Sequence, residues 1–95
     1  MIVKPATAEH GPSITFELPD GVTISSVDWS IYPVETGGMA FKSNSSDIDG
    51  NAVSNIVVDG LNGHIYRIDA RANLSSGEKD TRSIFYRIGD LEAVQ

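Results

Sequence analysis

An all-β sandwich is the fold class that this sequence predicts, and three observations carry the prediction. Apolar residues recur with period two over several short stretches, the pattern of half-buried strands, and nowhere with helical periodicity of useful length. Turn signals built from Gly, Pro and Asp recur roughly every eight to twelve residues. Leu61, Gly63 and Tyr66, just ahead of a long alternating stretch, match a tyrosine corner, in which a Tyr at the start of a late strand hydrogen-bonds back across the corner. The corner narrows the expectation to an immunoglobulin-like or fibronectin III-like β-sandwich of about seven antiparallel strands.

Residues 1–12 hold Pro5, Gly11 and Pro12 without periodicity, which predicts an extended N-terminal arm, ordered only where something holds it and suited to docking on a neighbour. A single domain is expected over 13–90, with a fraying C-terminal tail over 91–95. Ile14, Phe16 and Leu18 alternate with Thr15 and Glu17 as a first strand, closed by Pro19-Asp20-Gly21, where Pro presets φ and Gly accepts a positive one. The second strand, 22–32, changes phase. Val22 and Ile24 share one parity while Val27, Trp29 and Ile31 share the other, so a β-bulge is expected at Ser25-Ser26. Trp29, the only tryptophan, is read as the central core aromatic, with ligand stacking as the rival. Pro33 ends that strand and Gly37-Gly38 turns into a short strand over 39–42.

Residues 43–51 read as a polar loop, and 52–58 as a strand whose valines and Ile56 fall on both faces, as if both were covered or a bulge recurred. Asp59-Gly60 closes it. The stretch 61–88 then organises the rest as a hairpin. Tyr66, Ile68, Ala70 and Ala72 alternate with Arg67, Asp69, Arg71 and Asn73, the loop 74–80 turns, and 82–88 returns with Ile84, Tyr86 and Ile88 on one face. Phe85 is the one apolar residue on the opposite, polar face. Trp29, Tyr66, Ile68, Tyr86 and Ile88 are expected in one core with Phe16 and Ile24, and Arg82 is expected to pair with an acid on the facing strand.

Ninety-five residues suffice for one modest core that buries roughly two-thirds of the unfolded chain's surface. Cysteine is absent, which removes disulfides and thiolate metal sites. The opening MIVKPATAEHGP has no apolar stretch of a signal peptide and no run approaches a membrane span, so an intracellular or intracellularly assembled protein is expected. The net charge of -6 is uneven: residues 1–63 carry two lysines against eight acids, and all four arginines lie on the final hairpin. Such an acidic domain repels phosphates, so nucleic acid is not an expected partner. Arginines alternating with acids along a strand read first as cross-strand pairs, worth about 0.2 to 1 kcal/mol each.

No catalytic, cofactor-binding or metal-binding residue is expected. Ser45, Asp47, Asp49 and Gly50 match the early positions of a calcium loop, but Ile56 stands where its bidentate Glu is required, and an Asx-rich turn explains them. His10 and His64 have no partner at metal-ligand spacing, and no serine sits in a Gly-x-Ser-x-Gly elbow. Asn44 and Asn73 open chance glycosylation patterns that need a secretory route to matter.

From Phe16 onward the order of features resembles the short phage proteins called fiber-tail adaptors. The resemblance rests on the Asp20-Gly21 turn followed by Ile24 and Ser26, on Trp29 before Pro33, on Leu61, Gly63 and Tyr66, and on Gly77, Asp80, Arg82 and Ser83, with Asp-x-Arg-Ser opening the last strand. Glu78 departs from it by standing where a basic residue is expected, and 35–59 matches only in character. The resemblance implies a non-enzymatic virion protein of the tail region that joins the tail or its fibers to neighbouring tail or connector subunits. It also implies many copies in a ring within the particle, passage through the host cytoplasm during assembly, and no cofactor. Because the core of a 95-residue sandwich can be complete within one chain, a monomer or weak oligomer is expected alone, with neither nucleic acid nor membrane as a partner. A sandwich with a free arm and exposed edge strands suits that role, since both can be tied onto neighbours. The competing class is a surface-adhesion or glycan-binding module of the same fold, for which Tyr32, Phe41 and Phe85 are the aromatic candidates.

Overall fold

The computed structural model describes residues 1–89; Asp90 and the expected tail 91–95 lie outside the described residues. The described chain is all-β, with strands β1 (Ile2–Lys4), β2 (Ser13–Thr15), β3 (Ile24–Tyr32), β4 (Ala40–Phe41), β5 (Asp47–Asp49), β6 (Ala52–Ser54), β7 (Val57–Val58), β8 (Ile65–Leu74) and β9 (Lys79–Ile88). One layer is a four-stranded sheet in the order β1-β9-β8-β3, and facing it are a three-stranded sheet, β2-β6-β5, and the pair β4-β7. The long β8–β9 hairpin sits at the centre of the first layer because its alternation is the most regular in the chain: Tyr66, Ile68, Ala70, Ala72, Tyr86 and Ile88 all point inward and are buried.

Two apolar clusters join the layers. At one end Ile31, Tyr66, Ile68, Tyr86 and Ile88 close against Met39 and Val57, and at the other Ile24, Ala70 and Ala72 close against Ile14, Phe16 and Val53. Trp29 and Ile84 touch both. Each fully buried aliphatic or aromatic side chain contributes about 1.5 to 3 kcal/mol, so these residues supply most of the driving force. The local signals behave as read. Val22 N donates to Pro19 O across the first turn, with Gly21 at φ 81°, and the register of β3 slips between Ile24 and Ser26. The Tyr66 hydroxyl accepts a hydrogen bond from Leu61 N at 3.1 Å, closing the corner. Gly60 is required where the chain turns into that corner: φ is 127°, and a Cβ would stand 2.6 Å from Ile88.

Several expectations are corrected. Among the described residues there are nine strands rather than about seven, and the sheets are not wholly antiparallel, because β1 runs parallel to β9 with Lys4 opposite Ile88. Residues 1–12 are therefore not a free arm on this chain: β1 extends the sheet, His10 bridges Val57, and Pro12 O accepts from Asn55 N. Lys4 adds to these ties: it is wholly buried and donates from Nζ to the carbonyls of Pro5, Ala6 and Asp59. The polar loop 43–51 contains β5, paired with β6 around Gly50-Asn51; a strand of alternating Asp, Ile and Asp offers too little apolar contrast to be recognised.

The strand 52–58 is interrupted, but not by a bulge. Val53, Asn55 and Val57 all point inward, and Asn55 Oδ1 accepts the Ile56 N–H at 2.8 Å and the Ser45 hydroxyl at 2.7 Å, which takes Ile56 N out of the ladder. Trp29 is half-buried rather than the centre of the core, because its indole lies between the clusters with Nε1 reaching Ser46 Oγ at 2.9 Å. Arg82 does not pair across the strands. Its register partner on β8 is Ala70, and its guanidinium lies 3.7 Å from Asp80 on its own strand and over the Phe16 ring.

Candidate interaction surface

The outward face of the four-stranded sheet divides into two halves of different chemistry. Its register sets Tyr32, Arg67 and Phe85 side by side across β3, β8 and β9, with Ile65 and Arg87 paired in the next outward row. Tyr32 (48% exposed), Ile65 (51%) and Phe85 (47%) stand open to solvent, and the Arg67 guanidinium lies 4.7 Å from the Tyr32 ring centroid. Aromatic, aliphatic and arginine side chains together are the composition that carries most of the energy in protein interfaces.

The other half is polar, and its carboxylates are paired across the strands. Asp28 takes hydrogen bonds from Asn73 at 3.1 Å and Arg71 at 3.3 Å, which hold its carboxyl below the ordinary aspartate range, and Ser83 donates to Asp69 at 2.7 Å. A shallow concavity of about 350 Å³ between Asp28, Ser30, Tyr32, Asp69, Arg71 and Thr81 lies over these pairs. Its charged groups are taken up, Asp28 by Arg71 and Asn73 and Asp69 by Ser83 and Arg67, while the hydroxyls of Ser30, Tyr32 and Thr81 complete its lining.

A second feature lies where the layers open. β3 is an edge of the four-stranded sheet, and β4 has only β7 as a neighbour. Between these edges runs a groove of about 280 Å³ lined by Trp29, Ile31, Met39, Ala40 and Phe41, with Glu35 and Gly38 also contributing to its wall. Trp29 and Phe41 meet at 5.6 Å between ring centroids, tilted by 60°. Glu35 is held by the tyrosine corner: the Tyr66 hydroxyl donates to Oε1 and His64 Nδ1 lies 2.9 Å from the same oxygen. The Tyr66 bond, and then His64, keep the Glu35 carboxyl below the ordinary glutamate range, while burial, and then Glu35, push the Tyr66 phenol up. Gly38 permits this contact, since a Cβ there would stand 2.7 Å from Glu35 Cγ.

Of the aromatics expected at a binding surface, Tyr32 and Phe85 are brought together on the outward face, whereas Phe41 is half-buried against Trp29. Arg67, the register partner of Phe85, and Ile65, of the same outward parity, join them only through strand pairing, which patterning along one strand does not specify. Arg71 pairs across strands as expected, with Asp28; Arg67 pairs instead with Asp69 on its own strand, at 3.1 Å. Asp47 and Asp49 are exposed on β5, His10 packs edge-on against Tyr86, and among the described residues no group of three or more His, Cys, Asp or Glu could hold a metal ion.

The residues that carry the family resemblance have structural roles in this geometry. Asp80 and Arg82 pair at the mouth of β9, Ser83 bonds across to Asp69, and Leu61 and Tyr66 close the corner. No curated protein matches the chain. The family described as podophage GP4 fiber-tail adaptor protein gp77 matches residues 6–87. A match over nearly the whole described sandwich means that this chain belongs to that family, the structural adaptors of phage tails.

Proposed function

We propose that the chain is a non-enzymatic subunit that joins the phage tail or its fibers to neighbouring tail or connector subunits, taken up in several copies from a pool in the host cytoplasm. The observation that carries this reading is the open cluster of Tyr32, Ile65 and Phe85 around Arg67, on the rigid face of a four-stranded sheet. A flat sheet with its aromatics held by cross-strand neighbours offers a preorganised docking face, so little entropy is lost when a partner covers it. The alternative, a surface-adhesion or glycan-binding module, draws on Tyr32 beside the polar concavity, where the carboxylates of Asp28 and Asp69 already have partners.

The test is complementation of a phage lacking the gene with Phe85→Glu and with Arg67→Glu. Both positions are exposed, so the free variants are expected to melt like wild type. Tails lacking fibers or failing to join, with wild-type levels of folded variant, is the expected result. Intact fibered tails from the deletion phage would refute the adaptor role, and normal incorporation of both variants would refute this face as its contact.

A further inference from the structure

The unpaired side of β3 is the longest free edge among the described strands. Natural sheets guard such edges with lysine, proline, bulges or very short strands, because an open row of N–H and C=O groups recruits another chain. Over 27–32 the sequence VDWSIY has neither lysine nor proline, its one charge, Asp28, is paired with Arg71 on β8, and the one register slip lies upstream, between Ile24 and Ser26.

The hydrogen-bond phase determines which groups are open. Leu74 N donates to Glu78 O and Ile88 N donates to His64 O, both at 2.9 Å, so the even-numbered residues of β8 bond toward β9 and the odd-numbered ones toward β3. The register from Ser26↔Asn73 to Tyr32↔Arg67 then commits Ser26, Asp28, Ser30 and Tyr32 to the β8 ladder. Val27, Trp29 and Ile31 alternate with them, and their N–H and C=O groups point out of the sheet, those of Trp29 and Ile31 beside the groove against β4. At about 280 Å³ the groove suits one or two side chains rather than a larger ligand.

The geometry points to β3 as the site where an extended strand of another virion protein adds to the four-stranded sheet, placing an apolar side chain between Trp29, Met39 and Phe41 and basic residues beside it. This assignment rests on the tail-adaptor reading for the source of the strand. The chemistry follows from the surroundings: Glu35 lines the groove and Asp47 and Asp49 stand exposed on β5, while Asp28 on β3 is paired with Arg71 and the nearby Lys42 with Glu9. Two copies pairing edge to edge would bring the same acids together, so charge favours a basic strand from a different protein over a second copy.

Amide exchange tests the proposal directly. In the free chain the amides of Val27, Trp29 and Ile31 should exchange quickly while those of Asp28, Ser30 and Tyr32 are protected. In purified particles the first set should become protected too. Ala40→Trp fills the groove from an exposed position, and Val27→Pro removes an outward N–H that the fold does not use. Ala40→Trp should melt like wild type, and Val27→Pro, whose lost side chain packs against the Ile14–Phe16 cluster, should melt lower yet stay folded. Each should enter particles about tenfold less, the effect of losing one anchoring contact. Wild-type protein present in particles with Trp29 and Ile31 amides still exchanging as in the free chain would overturn the proposal, as would normal incorporation of both folded variants. Protection of these amides in a dimer of the free chain would overturn it in favour of a second copy. Absence of the wild-type protein from tails would instead overturn the adaptor reading beneath it.

Discussion

Lys4→Met keeps an aliphatic stem of similar length and removes the ammonium that ties the N-terminal strand to the body of the fold. The side chain is 0% exposed, and Nζ donates to Asp59 O at 2.8 Å, to Pro5 O at 2.9 Å and to Ala6 O at 3.4 Å. Two of these are good bonds from a charged donor, each worth about 1.5 to 3 kcal/mol net. Burial opposes them: it pushes the ammonium below the ordinary lysine value, and the Asp59 carboxylate only partly counters it. Pro5 and Ala6 are half-buried, so water can take over part of their bonding once the ammonium is gone. The expected loss is therefore about 2 kcal/mol rather than the sum of the bonds. For a domain of this size each kcal/mol lowers Tm by about 4 to 8 °C, so a drop of about 8 to 16 °C is expected in a thermal melt. Amide exchange should locate the damage. Gly89 N donates to Lys4 O at 2.9 Å and should lose protection in the variant, while in wild-type monomer it and the β1 amides bonded to β9 should be protected. An unchanged Tm with Gly89 still protected would show that Lys4 pins nothing, and an unprotected β1 in wild type would restore the free docking arm.

Three further outcomes are expected. Tyr66→Phe deletes the hydroxyl that accepts from Leu61 N and donates to Glu35, leaving a corner N–H without its acceptor, and should cost about 1 to 3 kcal/mol by denaturant titration. Stability should fall at both ends of the pH range for opposite reasons. Folding depresses the Glu35 carboxyl, so its contribution is present above the ordinary 4.5 and disappears as pH falls through the lower folded value, a dependence that Glu35→Gln should remove. Folding raises the Tyr66 and Tyr86 phenols, so their contributions are complete below the ordinary 10.0 and disappear as pH rises through the higher folded values; urea midpoints measured across both windows check the two signs. Trp29→Ala should cost less than the ~3 to 5 kcal/mol of a fully buried aromatic, because part of the indole is exposed at the groove, and a loss at the top of that range would return it to the centre of the core.

Local chemistry along the chain determined a large part of this protein. The inward set of the hairpin, Tyr66 through Ala72 with Tyr86 and Ile88, follows from period-two alternation, because a strand can bury only alternate residues. The slip near Ser25 follows from a change of parity, the turn at Gly21 from residue chemistry within four positions, and family membership from an ordered set of such features. What the tertiary structure decided depends on groups far apart in sequence. Lys4 is a surface residue by type, and it is buried only because β1 docks parallel on β9 and three carbonyls, one of them fifty-five residues away, converge on its ammonium. Arg82 stands in an alternating charge pattern, but the register sets Ala70 opposite it, so its carboxylate partner comes from its own strand. Alternation assigned Trp29 to the inner face without saying how well the second layer covers it, and the gap between β3 and β4 leaves the indole at a groove. The same gap determines the open surface of the molecule. Which side of β3 stays unpaired is a matter of strand order, and strand order is chosen by long-range packing of faces that look alike in one dimension.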